Sequence, residues 1–416
     1  MNIILLTLQS RTGSFFLQSL LDHHPEIIFF CAYYCELDFF LNLNNKNDEI
    51  VDEFIHKNPN AFHNGYAKPP HFSKDRANFK LTQISKSEFR NNFLSLCDNL
   101  CDKKISSKKE LFELLHLAYA KTIGYSDISK IKYILVHIHS FPISKKDEKY
   151  SKFFFINYPN LKLLVSTRDF MEASYSMLSY MKKMTRGGKF SVYKFGIFQT
   201  LISFNINSKY VYDIYMKIGA ENTLFVYLES LHSLQDEAMK KIADFLDIKF
   251  DKNLIQSTFL GKIWQGNTID KSTFSGFDAD KSRQKRSQNL SYKDLLLIKL
   301  CNYSTAKAFG YEIEPLKGFE KIYARIYFSY LFIRPILRPF YWFEDLEMKN
   351  LDPNKIQNKF YKKLPFWLSK RLIFMRKKIN RTKEFYRDLH SFYIWRKTFE
   401  MERFFADKKI NKDRFL

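Results

Sequence analysis

The apolar positions of the chain open on a nearly unbroken run from Ile3 to Leu8. They stop at Ser10-Arg11-Thr12-Gly13-Ser14 and resume at Phe16, Leu17, Leu20 and Leu21. A run that is apolar on both faces reads as a strand inside a parallel sheet, and the later spacing reads as one face of a helix. The alternation returns three times. Tyr133–Ile138 is a strand ending in His139-Ser140-Phe141-Pro142, and Leu161–Ser166 is followed by Arg168 and a helix from about Met171 to Met181. Asn222–Tyr227 leads into an amphipathic helix over Leu234–Leu246, and a further helix is expected over 292–308. Strands alternating with helices predict a three-layer α/β fold, a central parallel sheet with flanking helices. The stretch 45–130 is polar, rich in Asn and Lys, with one strong helical pattern at Lys108–Lys121, and is read as a helical insertion. After Glu314-Pro315 the strand-like runs vanish. That sets a boundary near 315, with an α/β domain over 1–315 and a mainly helical, basic, aromatic-rich extension over 316–416.

Charge narrows the choice of partner. The 416 residues carry a formal net charge of +23, and Lys317–Leu416 holds 25 Lys and Arg against 11 Asp and Glu, a balance of +14. An anionic partner follows: a phosphorylated or sulfated small molecule, anionic lipid, or nucleic acid. The 43 Phe and 25 Tyr mark ligand or membrane surfaces, or simply a base-composition bias. No stretch approaches the roughly 20 uncharged apolar residues of a spanning helix. In the segment "IYARIYFSYLFIRPILRPFYWF", Pro335 and Pro339 are expected to interrupt any helix, and the arginines are costly in hydrocarbon. Trp342, Trp367 and Trp395 among basic residues suit a peripheral contact with anionic lipid; packing against the α/β domain is the other reading. The five cysteines, Cys31, Cys35, Cys97, Cys101 and Cys301, include no C-x-x-C pair and read as small apolar residues of a reduced compartment. The short apolar start lacks a basic segment before it, so a cytoplasmic protein is expected, peripheral on the membrane through its tail.

Candidate chemistry begins at the first interruption. In open α/β sheets ligands sit beyond the carboxyl ends of the strands, where a helix N-terminus offers free amides. Arg11, Thr12, Gly13 and Ser14 add a guanidinium, two hydroxyls and a glycine that lets the backbone approach: an anion cradle. The G-x-x-x-x-G-K-[ST] phosphate loop is absent.

The whole stretch "SRTGSFFLQSLLDHHPEI" resembles the 5′-phosphosulfate loop of sulfotransferases that use 3′-phosphoadenosine-5′-phosphosulfate (PAPS), in its bacterial and carbohydrate-modifying form. By that resemblance Arg11, Thr12, Gly13, Ser14 and Phe15 hold the 5′-phosphosulfate. "LLVSTRDFMEASYSML" is similar to the family's 3′-phosphate segment, with Arg168 and Ser176 at the matching positions and Phe170 where the family usually has proline. "FVYLESLHSLQDEAMKKIADFLDIKFD" resembles the family's V-x-Y-E-D-L segment and the helix after it. "GNTIDKSTFSGFDADKSRQKRSQNLS" is similar to its G-N-S segment and the basic loop over the 3′-phosphate, with Lys281, Arg283, Lys285 and Arg286 as candidate cations. The usual G-x-W-R is missing. The resemblance covers about residues 1–315 and implies the nucleotide-kinase-like sulfotransferase fold.

The activity it implies is transfer of a sulfuryl group from PAPS to a carbohydrate hydroxyl, on a bacterial cell-surface glycan or its lipid-linked precursor, with PAP as product and no metal. Such transfer rests on positioning and on stabilising charge at the leaving oxygens, a role for Arg11 and the loop amides. A base must take the hydroxyl proton. Glu36, in "AYYCELDFF", sits about where carbohydrate sulfotransferases place a catalytic glutamate and ranks ahead of His139, near the K-T-H histidine of small-molecule members. His137 stands where their lysine is. The other readings are a nucleotide kinase, against which the missing loop lysine counts, and a non-catalytic binder of nucleic acid or anionic membranes. No RNP-like or zinc-knuckle pattern is present, so nucleic acid is not the expected partner.

Overall fold

The computed structural model describes residues 1–8, 12–30, 43–63, 83–138, 152–184, 190–264, 276–280, 285–337 and 399–416. Its centre is a parallel sheet of β1 (Asn2–Leu8), β2 (Ile27–Ile28), β3 (Tyr133–His137), β4 (Lys162–Thr167) and β5 (Thr223–Tyr227), in the order β2-β3-β1-β4-β5. The first strand is central because it is the most continuously apolar. It pairs β3 from Asn2↔Tyr133 to Leu6↔His137 and β4 from Ile4↔Lys162 to Leu8↔Ser166. Alternate residues feed two layers. Ile4, Leu6, Leu164 and Val226 pack with α1 (Ser14–Leu20) and with the amphipathic helix Gln235–Leu246. On the other face Phe225 meets Tyr215, near the end of a long helix over Phe190–Ile218, at a ring distance of 5.9 Å. The three-layer α/β architecture is the one the hydrophobic pattern implies.

In chain order the remaining helices are α2 (Asn47–Lys57), α3 (Lys86–Asp98), α4 (Lys108–Thr122), α5 (Phe170–Met184), α6 (Phe190–Ile218), α7 (Leu228–Ser233), α8 (Gln235–Leu246), α9 (Tyr292–Ala308) and α10 (Gly318–Leu337). Among its described residues the insertion holds three α-helices where the pattern marked one. Only Ile50, Val51 and Phe54 of α2 and Phe89, Phe93 and Cys97 of α3 are buried, too few apolar positions among Asn and Lys to stand out. Phe54 stacks on Phe89 at 5.7 Å. Cys97 is buried and its thiol is pushed up to about 12 by that burial, which suits a packing residue rather than a ligand.

The chain divides into two compact units. One comprises residues 1–180, 206–287 and 410–416; the other comprises 181–205 and 288–409. The chain's last residues return to the sheet. Leu416 N–H donates to Phe225 O at 2.8 Å, Tyr227 N–H donates to Leu416 O at 3.1 Å, and Phe415 stacks on Phe225 at 4.8 Å. A five-residue edge strand with one unpaired side attracts such an addition, and the extended Phe415-Leu416 end supplies it. In the second unit Asn205 donates to Cys301 O at 2.9 Å and accepts from Thr305 Oγ1 at 2.7 Å. Helix α10 corrects the expectation for Pro335: it runs through that residue to Leu337. Pro335 lies in its last turn, so the hydrogen bond its missing amide removes affects only the turn that ends the helix.

Candidate active site

Because the sheet is parallel, the carboxyl ends of β1, β3, β4 and β5 share one edge, and each presents its next residues there. After β1 comes Gly13, with φ 80° and ψ 21°, the left-handed conformation that starts α1 abruptly after the strand. Leu228, just past β5, packs under it, and a Cβ at position 13 stands 2.6 Å from Leu228 Cδ1. Ser166, the penultimate residue of β4, donates its hydroxyl to Thr12 O at 2.7 Å and holds the loop down. Thr12 is 1% exposed and its Oγ1 has no hydrogen-bond partner among the described residues. A buried hydroxyl in that state is waiting for an acceptor or donor from outside.

His137 ends β3 beneath this loop with no solvent exposure. Its Nδ1 lies 2.7 Å from Gln18 Oε1 and its Nε2 lies 3.1 Å from Ser14 Oγ. With the amide oxygen as acceptor, Nδ1 carries a proton. Phe15 packs its ring edge-on to the imidazole at 4.6 Å, so this side chain belongs to the core and only its backbone faces the loop. In the sequence His137 is marked only by its place at the end of a strand; its partnership with Ser14 and Gln18, one helical turn apart, is visible only in three dimensions.

After β4 comes Arg168, between two carboxylates. Its Nη2 is 3.9 Å from Glu172 Oε2 and its Nε is 3.9 Å from Glu229 Oε1. Asp169 caps α5 by accepting the Glu172 amide at 2.9 Å, and Glu229 accepts the Asp169 amide at 3.1 Å. Phe170 takes the first helical position, where proline is favoured, and is buried in the core instead. Glu172 also accepts the Ser287 amide at 2.8 Å, which brings Arg286 into range of Arg168. Burial, first of all, holds the Arg168 guanidinium below its ordinary value; Arg286 adds to this while Glu229 and Glu172 oppose it. Burial raises Glu229 above the usual carboxylate range. His232, stacked on Phe16 at 4.7 Å, is pushed down to about 4 by burial and accepts the Asp278 amide at 3.0 Å through Nδ1.

The structure thus brings together Thr12, Gly13, Ser14 and the Phe15 backbone, and separately Arg168 with Arg286. The two groups are joined by Ser166, two residues before Arg168. Ser176 is half-buried one turn beyond Glu172 on α5, and Lys285 is exposed. Arg11, Glu36, His139, Lys281 and Arg283 lie outside the described residues. Gln18, His137, Glu172 and Glu229 are the site residues the sequence reading missed; the two glutamates carry no motif of their own and are defined by what they touch.

No family model matches the sequence, and no curated protein matches it. Solved structures similar to this chain include the sulfotransferase domain of the Synechococcus PCC 7002 olefin synthase, at 15% identity over 76% of this chain and 96% of that one, with a TM-score of 0.41. A sulfotransferase from Mycobacterium avium is similar at 11% identity over 76% and 79%, with a TM-score of 0.35. A retinol dehydratase solved with androsterone and inactive cofactor PAP is similar at 10% identity over 75% and 83%, with a TM-score of 0.32. Values this low leave the chemistry to the residues themselves.

Proposed function

We propose that this protein transfers a sulfuryl group from PAPS to a hydroxyl, and that the acceptor is a carbohydrate. The observation that carries the reading is the coupling of two anion-seeking groups through one hydrogen bond. A glycine-turned loop with an orphaned buried hydroxyl at Thr12 is tied by Ser166 to the strand that delivers Arg168, and Arg168 is within electrostatic range of a second cation, Arg286. A nucleotide with phosphate at both its 3′ and 5′ positions matches that pair of sites.

The residues present fit such a nucleotide. Thr12 Oγ1 and the positive end of α1 would hold the 5′-phosphosulfate. Arg168, Ser176 and Arg286 would hold the 3′-phosphate, where a dianion relieves the repulsion between two guanidinium groups. PAPS supplies an activated sulfuryl group on a phosphate leaving group. With Nδ1 protonated, His137 Nε2 accepts the Ser14 hydroxyl hydrogen, which fixes that side chain at the start of α1. Arg11 would neutralise charge on the leaving oxygens, and Glu36, or failing it His139, would take the acceptor proton. The carbohydrate acceptor rests on the form of the first loop and on the position of Glu36.

Calorimetric titration with PAP tests the nucleotide site. Arg11→Ala and Arg168→Ala should each weaken binding by at least about tenfold, equal to about 1.4 kcal/mol. Unchanged affinity in both overturns the reading. For the acceptor, radiolabelled PAPS incubated with the protein and glycan extracts should label carbohydrate. Label confined to phenolic small molecules overturns that part. Glu36→Gln should abolish transfer while sparing PAP affinity.

A further inference from the structure

Among the described residues, helix α10 carries an exposed apolar strip. Phe319, Ile322 and Ile326 are 79%, 58% and 64% exposed at i, i+3 and i+7 spacing, and so line up along about 10 Å of one side. Isolated exposed apolar residues need no explanation, but three in register on one helix do. One edge of the strip is cationic: Lys321 and Arg325 are exposed and one turn apart. The other edge is aromatic: Tyr323 and Tyr327, half-buried, stack at 6.5 Å, and Lys293 of α9 lies 5.4 Å over the Tyr327 ring. The opposite side of α10 holds it to its unit through buried Ala324 and Phe328, the latter edge-on to Phe399 at 5.6 Å. Glu320, the single acidic residue in the helix sequence, lies on the tyrosine side of the helix with its carboxylate already hydrogen-bonded. It accepts from Tyr292 Oη at 3.1 Å and from the Lys317 amide at 2.9 Å.

We propose that this face of α10 is a docking surface for anionic lipid, with the helix lying in the plane of the membrane. Apolar side chains flanked by cations on one border and tyrosines on the other match the layering of acyl chains, phosphates and headgroup region. A second copy of the chain fits poorly, because a face with Lys293, Lys321 and Arg325 against the single, already bonded carboxylate of Glu320 repels itself. No described helix is long and apolar enough to cross a membrane. The surface lies on the second unit, and the proposal stands apart from the nucleotide reading.

The full-length protein should float with phosphatidylcholine vesicles that contain phosphatidylglycerol and not with phosphatidylcholine alone. Raising salt from about 0.05 to 0.5 M should weaken the binding. Phe319→Ser/Ile322→Ser/Ile326→Ser should reduce partitioning at least about tenfold, and Lys321→Glu/Arg325→Glu should do the same. All five side chains are exposed, so unchanged thermal melts will certify the folds. The proposal is overturned if the wild type ignores anionic vesicles at low salt, if both variants bind as well as it does, or if sedimentation shows a wild-type dimer that the triple variant dissolves.

Discussion

Replacing Gly13 by alanine tests the loop at its tightest point. At φ 80° an L-residue is strained by about 1–2 kcal/mol. The new methyl also lies 2.6 Å from Leu228 Cδ1 and 3.1 Å from Cδ2, and such overpacking costs about 1–3 kcal/mol. Leu228 offers the end of a flexible side chain, so the lower half of that range applies, and Gly13→Ala should cost about 2–4 kcal/mol in total. The two contributions are separable. In a Leu228→Ala background the clash is gone but the backbone strain stays, so the penalty for Gly13→Ala should fall to about 1–2 kcal/mol. Denaturant unfolding of the four proteins of this cycle measures both. PAP calorimetry on the same samples should show weakened binding in both Gly13→Ala proteins, because strain moves the Thr12 and Ser14 groups. A single variant within about 0.5 kcal/mol of wild type, or a penalty that Leu228→Ala leaves untouched, refutes the reasoning.

Three more outcomes follow from buried polar groups. His137→Ala strands Gln18 and Ser14 without their shared partner and should cost about 2–4 kcal/mol while weakening PAP; a variant as stable as wild type contradicts the network. Burial raises Glu402 to about 7 from an ordinary 4.5, so its stability contribution is full below pH 4.5 and is lost as pH rises through 7. Glu402→Gln should therefore gain about 1–3 kcal/mol at pH 8 and nothing at pH 4, by denaturant unfolding; equal stability at pH 8 argues against it. His116, fully buried against Phe30 and Phe112, is pushed down to about 3, so its contribution is present above pH 6.5 and lost as pH falls toward 3. His116→Phe should flatten the acid limb of the stability profile, and an unchanged limb between pH 6 and 4 would place the acid sensitivity elsewhere.

The sequence alone determined the architecture at the sheet and the identity of the loops around it. Continuous apolar runs at Ile3–Leu8, Tyr133–Ile138, Leu161–Ser166 and Asn222–Tyr227 leave no solvated face, and only a parallel sheet covered on both sides accommodates them. The helix expected over 292–308 ends at the expected residue, and Thr12, Gly13, Ser14 and Arg168 stand at strand ends as their spacing implied. What the tertiary structure decided concerns groups whose meaning depends on a distant partner. His137 is one of several apolar-strand residues until β3 is set beside β1 and its two nitrogens meet Ser14 and Gln18, more than a hundred residues earlier in the chain. Glu229 is an ordinary helix carboxylate until β4 and β5 pair and place it against Arg168, opposite Glu172, which is already only four residues along the chain from that arginine. The return of Phe415 and Leu416 to β5 joins the end of a basic extension to the first unit. Local periodicity records burial, which each residue experiences by itself; hydrogen bonds and ion pairs across hundreds of positions exist only once the chain has chosen its strand order.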